Sequence, residues 1–125
     1  MNFVSLDDLP KKIPIFPLTG AVLFPKTQLP LNIFEPRYVQ MLNAALATTH
    51  KLIGMIQPIS GSDNSLKKVG CVGRVTSYNE TDDHRYLITL NGIIRFEIEN
   101  ELDTTTEYRQ VKVNYENFIT DLKSE

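Results

Sequence analysis

Apolar and polar residues alternate over several stretches of the chain, with the period of two that is typical of half-buried β-strands. The alternation predicts strands over residues 12–18, 28–33 and 108–116, and a further strand is expected over residues 69–78, after a polar loop. Residues 52–56 are apolar on both parities, which at this length indicates a central strand buried on both faces. Pro14 and Pro17 cannot donate a ladder hydrogen bond, so the first segment is predicted to be an edge strand or simply extended.

One stretch changes to the helical period, in which apolar residues recur every three or four positions. Proline is favoured at the first helical position, where its missing N–H costs no internal bond, so Pro36 marks a helix start. The predicted helix covers residues 35–47, and its apolar positions are Tyr38, Met41, Leu42, Ala45 and Leu46. Glu35 and Arg37 are best explained by helix capping and a local ion pair.

Residues 85–99 contain the pair Asn91-Gly92, which is the strongest short signal for a β-hairpin. A two-residue turn there would leave both faces of the hairpin with mixed apolar and polar side chains. Read as one strand, the segment keeps its apolar residues on one parity: Tyr86, Ile88, Leu90, Ile94, Phe96 and Ile98. We therefore expect one long strand, with a bend or bulge at Gly92 that helps a barrel to close.

The carboxyl-terminal part of the chain ends the predicted β-structure. Three residues of the last strand are expected to face the core: Val111, Val113 and Tyr115. Three more apolar residues follow without an evident partner in the chain: Phe118, Ile119 and Leu122. These last three are expected to cover the end of the barrel or to pack against a neighbouring subunit, which would make the chain a homo-oligomer.

Length, charge and cysteine content limit the function classes. A chain of 125 residues with 42% hydrophobic residues is expected to form one core. The formal net charge of -2 lacks the positive excess that neutralises phosphates, which argues against nucleic acid as a partner. We expect neither a secretory leader nor a membrane-spanning segment, and the single Cys71 fits a reducing compartment. The expected location is the cytoplasm.

The sequence contains no recognisable catalytic motif. Residues 61–68 lack the second glycine and the hydroxyl residue of a phosphate-binding loop. Cys71 with His50 or His84 is the one conceivable nucleophile and base, but Cys71 lies in an apolar strand and is expected to be a small buried hydrophobe. Two histidines and one cysteine do not make a metal-ligand set. We expect no catalytic residue, no cofactor and no metal.

The best binding candidate is Phe24-Pro25, in the loop after the first strand. Loops commonly provide recognition, and an exposed aromatic ring beside proline can contact an extended peptide. Burial of Phe24 beneath the barrel is the alternative. Phe118 and Ile119 are added as a second pair of candidate polypeptide-binding residues.

Four short segments, in their order and spacing, resemble the opening signature of the amino-terminal, substrate-binding domain of Lon-type proteases. They are Ile13-Pro14-Ile15-Phe16-Pro17-Leu18, Val22-Leu23-Phe24-Pro25, Leu29-Pro30-Leu31 and Ile33-Phe34-Glu35-Pro36-Arg37-Tyr38. The resemblance continues more loosely to about Tyr115. It implies a mainly β fold with one inserted α-helix, namely a partly open β-barrel of the PUA-like kind.

The resemblance also implies a division of the chain and a function. Residues 1–11 are expected to be a lead-in, residues 12–116 the barrel domain, and residues 117–125 the start of a carboxyl-terminal extension. In Lon proteases this domain engages polypeptide substrates, whereas ATP hydrolysis and cleavage reside in downstream domains. A stand-alone or truncated member is therefore expected to bind unfolded polypeptide, or a protease or other partner protein, without catalysis. The alternative, allowed by the PUA-like fold, is binding of RNA or another ligand.

Overall fold

The computed structural model describes residues 5–59 and 64–123. The strands within these ranges are β1 (Lys12–Pro17), β2 (Gln28–Ile33), β3 (Leu52–Ile56), β4 (Val69–Glu80), β5 (Tyr86–Glu101) and β6 (Gln110–Asn114). The α-helix is α1 (Pro36–Leu46), and two 3₁₀ segments cover Leu6–Asp8 and Glu116–Leu122; we call the second one the carboxyl-terminal segment. The prediction of a mainly β chain with one inserted helix is confirmed.

The strands form one sheet in the order β2-β5-β4-β3-β1-β6. β6 also pairs with the carboxyl-terminal part of β5, so the sheet curves back on itself. β2 pairs with β5 and has a free second edge among the described residues, so closure is incomplete. The result is the predicted partly open barrel, in which β3 is a central strand buried along its whole length.

β1 lies inside the sheet, between β3 and β6, so the prediction of an edge strand is wrong. Its two neighbours are staggered, because β6 pairs with its first three residues and β3 with its last three. The N–H of Ile15 points to the β6 side, where it donates over 3.0 Å, and that of Leu18 donates to the β3 side over 3.1 Å. Successive N–H groups along a strand point to opposite sides. The nitrogen of Pro14 therefore faces the β3 side, but it lies before the residues that pair with β3. The nitrogen of Pro17 faces the β6 side, but it lies after the residues that pair with β6.

β5 is a single strand of 16 residues, as predicted, and not a hairpin. Its pairing with β4 shifts between Gly73 opposite Gly92 and Val72 opposite Ile94, which leaves Ile93 as the extra residue of a bulge. The predicted irregularity at Gly92 is therefore confirmed. The bulge bends β5 so that one strand contributes to both ends of the barrel.

The core consists of two adjoining groups of buried side chains. Met41, Leu42 and Ala45 form the buried face of α1 and belong to the group that also contains Leu23 and Cys71. The other group includes the three buried residues predicted near the end of the chain: Val111, Val113 and Tyr115. Phe118 and Leu122 of the carboxyl-terminal segment pack against this second group. The expectation that they cover the barrel is thus confirmed for these two residues.

The bend in β5 leaves a gap in the sheet. β2 pairs with β5 as far as Asn91, and β6 begins to pair with it at Glu97. Between these positions, no other strand of the described chain borders β5 on that side. Two irregular segments bond to β5 there instead: the loop before β2 reaches Gly92, and the carboxyl-terminal segment reaches Arg95.

Candidate functional site

The loop between β1 and β2, residues 18–27, ends in a tight turn that presents Phe24. Pro25 occupies the second position of the turn and Lys26 the third, with a positive φ of 66°, as in a type II turn. The N–H of Thr27 donates to the Phe24 carbonyl over 3.2 Å, and the Thr27 hydroxyl donates to the same oxygen over 2.8 Å. The turn directs the Phe24 side chain outward, where 61% of the residue is exposed.

The same loop is anchored to the barrel at three places. Leu23 is buried, and its Cδ2 lies where a side chain on Gly73 would otherwise stand. The side-chain amide of Gln57 donates to the Ala21 carbonyl over 2.9 Å. Gly92 exchanges backbone hydrogen bonds of 2.8 and 2.9 Å with Thr27 and Lys26. The loop therefore holds its exposed side chains on a backbone that is fixed from below.

Gly92 is needed for this arrangement because of space. A Cβ atom on Gly92 would lie 2.0 Å from the Phe24 carbonyl oxygen, much closer than any van der Waals contact. The absence of a side chain lets the turn approach the bulge of β5 closely enough to bond to it.

A shallow groove of about 170 Å³ lies beside the loop. It is lined by Ala21, Val22, Leu23, Phe24, Met55, Ile56, Gln57, Val69, Gly70, Cys71 and Arg95. Val22, Phe24 and Val69 are strongly exposed along it. Its two polar side chains are already engaged, since Gln57 bonds to the loop and Arg95 bonds to the carboxyl-terminal segment. What remains available for a ligand is mainly apolar surface.

Arg95 joins the groove to the carboxyl-terminal segment. Its guanidinium bonds to both carboxylate oxygens of Asp121, over 2.9 and 3.0 Å, and lies 4.8 Å from the centre of the Phe118 ring. The ammonium group of Lys26 donates to the backbone carbonyl of Lys123. The Phe24 turn and the carboxyl-terminal segment are therefore connected on the same side of the barrel.

Two ionisable groups beside the groove, Asp121 and Cys71, have shifted pKa values. The hydrogen bond from Arg95 holds the pKa of the Asp121 carboxyl below its usual range. Burial raises the pKa of the Cys71 thiol to about 12, so the reactive thiolate is not formed at neutral pH. Cys71 is buried as the predicted small hydrophobe. Across residues 5–59 and 64–123, no group of three or more metal-ligating side chains is found.

The structure brings the predicted site residues to one side of the barrel. Phe24 and Pro25 form the exposed turn, so burial of Phe24 beneath the barrel is wrong. Phe118 is half-buried under Arg95, and Ile119 beside it is 51% exposed. That these residues bind polypeptide stays a prediction.

The expectation for the start of α1 is confirmed only in part. The Arg37 and Glu35 side chains form an ion pair of 3.7 Å. Glu35 is the N-cap residue, but its side chain makes no capping hydrogen bond.

Sequence reasoning did not propose three residues that line the groove, namely Val22, Val69 and Arg95, nor Asp121, which bonds to Arg95. Exposed Val22 comes directly before buried Leu23, so the alternation of positions along the loop could have indicated that Val22 faces outward. Arg95 was also detectable, as a charge between the apolar residues of a long strand. Asp121 was not, because its role depends on the gap in the sheet.

A second exposed apolar surface lies on the strands near the other end of β5. A depression of about 410 Å³ there is lined by Pro30, Leu31, Ser77, Tyr78, Asn79, Leu87, Ile88 and Thr89. Polar side chains interrupt its apolar ones, as expected for the outer face of a sheet. Nearby Phe34 is 57% exposed, with the Arg85 guanidinium 5.3 Å from its ring centre.

The free edge of β2 is a poor site for the addition of another strand. Thr27 turns its carbonyl toward β5, where it accepts from Gly92. Backbone groups alternate in direction along a strand, so Pro30 faces the free edge. It offers no N–H there, which interrupts the ladder that an added strand would need.

Comparison with known proteins agrees with this architecture. The substrate-binding domain of the ATP-dependent protease La (Lon) matches residues 12–125. The chain belongs to the Lon substrate-binding domain family. Lon protease 2 of Sorangium cellulosum is 32% identical over 93 residues, which are 70% of this chain and 12% of that protein. The Lon protease of Desulfosudis oleivorans is 30% identical over 106 residues, which are 80% of this chain and 13% of that protein.

Two solved structures show the same Lon-type fold. The Lon N-terminal domain protein from Xanthomonas campestris superposes with a TM-score of 0.70 at 22% identity, over 83% of this chain and 59% of that one. The N-terminal domain of a Mycobacterium avium complex Lon protease superposes with a TM-score of 0.69 at 13% identity, over 84% of this chain and 54% of that one.

Within the described ranges, no helix has the length and apolar character to cross a membrane.

Proposed function

We propose that this Lon-type domain recognises exposed apolar segments of unfolded polypeptide and performs no chemistry on them. The observation that supports this best is the groove, where Val22 and Phe24 stand exposed on an anchored loop beside an apolar floor. A loop whose backbone is fixed in this way needs little further ordering when a peptide covers its side chains. Phe118 and Ile119 are proposed to extend the contact surface.

The role in proteolysis is part of the proposal. The matched region is only 12 to 13% of the two Lon proteases compared above, so most of each of those proteins lies outside it. We propose that the domain engages substrates in the cytoplasm for an ATP-dependent protease. Residues 12–116 are proposed to be the binding domain, with residues 1–11 as a lead-in and residues 117–125 as the start of an extension. A homo-oligomer formed through that extension stays a prediction.

The alternative of RNA binding has less support from the surface charges. Binding to phosphates needs cations that are free to replace counterions. Several cations here already face carboxylates, in the ion pairs Arg85–Asp83, Arg95–Asp121, Arg109–Glu101 and Lys112–Glu99. We therefore expect polypeptide binding with micromolar or weaker affinity, because one small apolar groove gains limited burial against the ordering of a flexible chain.

The test is a titration of a labelled, casein-like unfolded protein, followed by fluorescence anisotropy. Phe24→Ala should weaken binding about fivefold, since the ring supplies much of the exposed apolar area of the groove. Phe34→Ala is the matched control, because it removes the same side chain at nearly the same exposure from a different surface. The control should change the affinity less than about twofold.

Equal effects of the two variants would contradict the groove as the binding site. An RNA panel and a folded protein are titrated in parallel, at two salt concentrations. Binding to RNA that weakens steeply with salt, together with no binding to unfolded polypeptide, would overturn the proposal.

A further inference from the structure

The gap beside β5 contains an unusual hydrogen bond. The backbone N–H of Arg95 donates to a carboxylate oxygen of Asp121 over 3.0 Å, where a neighbouring strand would normally supply a carbonyl. The guanidinium of the same arginine bonds to both oxygens of this carboxylate. One side chain of the carboxyl-terminal segment thus replaces a missing strand and neutralises a charge at the wall of the groove.

The environment of Asp121 differs from that of an ordinary surface ion pair. Its side chain is only 8% exposed, whereas 47% of the Arg95 side chain remains accessible. Phe118 and Leu122, on either side of it in the chain, pack against the core. The carboxylate is therefore the polar contact that seats an otherwise apolar segment on the barrel.

We propose that Asp121 is a positioning residue of the groove. Its carboxylate fixes Arg95, which forms one wall of the groove, against the carboxyl-terminal segment, so residues beyond β6 shape the binding site through Arg95. This inference rests on the proposed function only in taking the groove as that site. The position of the wall itself can be measured without any ligand.

Cys71 provides the measurement, because it is the single cysteine of the chain and lies buried at the floor of the groove. It is paired opposite Arg95 across β4 and β5, so a thiol-specific aromatic disulfide reagent should reach it more readily when the Arg95 side chain is released. Asp121→Asn keeps the size of the side chain and removes its charge. We expect Cys71 to be labelled about fivefold faster in this variant, since charge-assisted hydrogen bonds are lost.

Glu101→Gln is the matched control. Glu101 forms the same two-pronged pair with Arg109, through bonds of 2.6 and 2.9 Å, but it lies away from the groove. It should leave the labelling rate within about twofold of the wild-type rate. A second variant, Arg95→Lys, keeps the positive charge and loses the two-pronged contact, and we expect it to accelerate labelling about threefold.

The outcomes are distinct. Faster labelling in Asp121→Asn and Arg95→Lys, with the control unchanged, supports the proposal. Equal acceleration in all three variants would show general loosening of the fold and would overturn it, as would no acceleration in any. Affinity for the unfolded protein is measured on the same samples. If the wild type does not bind it, the proposed function fails while the labelling result still decides the role of Asp121.

Discussion

Two phenylalanines with similar sequence surroundings differ in what lies beneath them. Phe24 precedes Pro25, Phe34 stands two residues before Pro36, and the two rings are 61% and 57% exposed. Phe34 leads into a helix, and the Arg85 guanidinium partly covers its ring. Phe24 stands on a turn that is bonded to the bulge of β5, at the side of an apolar groove.

The comparison shows that exposure alone does not identify a binding surface. The Phe34 ring lies on the regular outer surface of the molecule, and the Arg85 guanidinium already lies over one of its faces. The backbone of Phe24 is held by hydrogen bonds and by a buried neighbour, so the ring can contact a ligand without first ordering the loop. If this difference matters, removing the anchors should affect the groove while leaving the Phe34 surface unchanged.

Removing the buried anchor should have the largest effect. Leu23→Ala empties a buried position above Gly73 and should lower the free energy of unfolding by about 2–4 kcal/mol. Affinity for unfolded polypeptide should fall with it, because Phe24 loses its fixed support. The measurements are denaturant unfolding and the anisotropy titration.

The matched control is Val22→Ala, one position earlier in the loop. Val22 is half exposed, so its truncation should change stability by less than about 0.5 kcal/mol. A loss of stability as large as that of Leu23→Ala would mean that the loop is not anchored through alternate residues.

Adding a methyl group at the bulge should have the next largest effect. Gly92→Ala places a Cβ against the Phe24 carbonyl and should cost about 1–3 kcal/mol, because backbone must move. Amide hydrogen exchange should accelerate at Lys26 and at position 92, where the loop bonds to β5.

Gly20→Ala separates this steric effect from backbone strain. Gly20 has a positive φ of 82° and nothing within 4 Å of an added Cβ, so its cost of about 1–2 kcal/mol comes from conformation alone. Protection of the Lys26 amide should be retained. If both variants expose that amide equally, the close approach at Gly92 is not what holds the turn.

The sequence was sufficient for the elements of the fold because each depends on a local period. β2 and β3 begin and end where alternation and apolar runs placed them, and the bent β5 followed from the unbroken parity around Gly92. The prediction that β1 is an edge strand was wrong because a proline lacks only its own N–H donor. It does not prevent a neighbouring strand from pairing with the other residues of β1. A staggered pair of strands gives each proline a position without a ladder bond.

The candidate site was only partly predictable, for a related reason. Phe24-Pro25 is a local signal, and the carboxyl-terminal apolar residues visibly lacked partners. The groove also depends on Arg95 and Asp121, which are 26 residues apart and meet only because β2 and β6 leave a gap beside β5. No local period contains that information.

The smallest expected effect is on the free energy of unfolding at acidic pH. It compares the ion pair of Asp121, beside the groove, with that of Asp83, near Phe34. Arg95 lowers the pKa of Asp121 from its ordinary value of 3.8. A carboxyl whose pKa is lower in the folded state stabilises the fold above its unfolded pKa, and this contribution disappears as the pH falls through the folded value. Asp121→Asn should therefore be less stable by about 1 kcal/mol at neutral pH, a modest figure because Arg95 is half exposed. The difference from the wild type should shrink steadily below about pH 4.

Asp83 provides the comparison on the surface near Phe34. A hydrogen bond from Thr81, with a smaller contribution from Arg85, also lowers the pKa of this carboxyl, but the group is fully exposed. Asp83→Asn should leave the curve of unfolding free energy against pH almost parallel to that of the wild type, since solvent screens exposed charges. Denaturant unfolding between pH 3 and pH 7, under about 0.1 M salt, measures both variants. Parallel curves for Asp121→Asn and the wild type would show that the carboxylate beside the groove contributes no more than the exposed one.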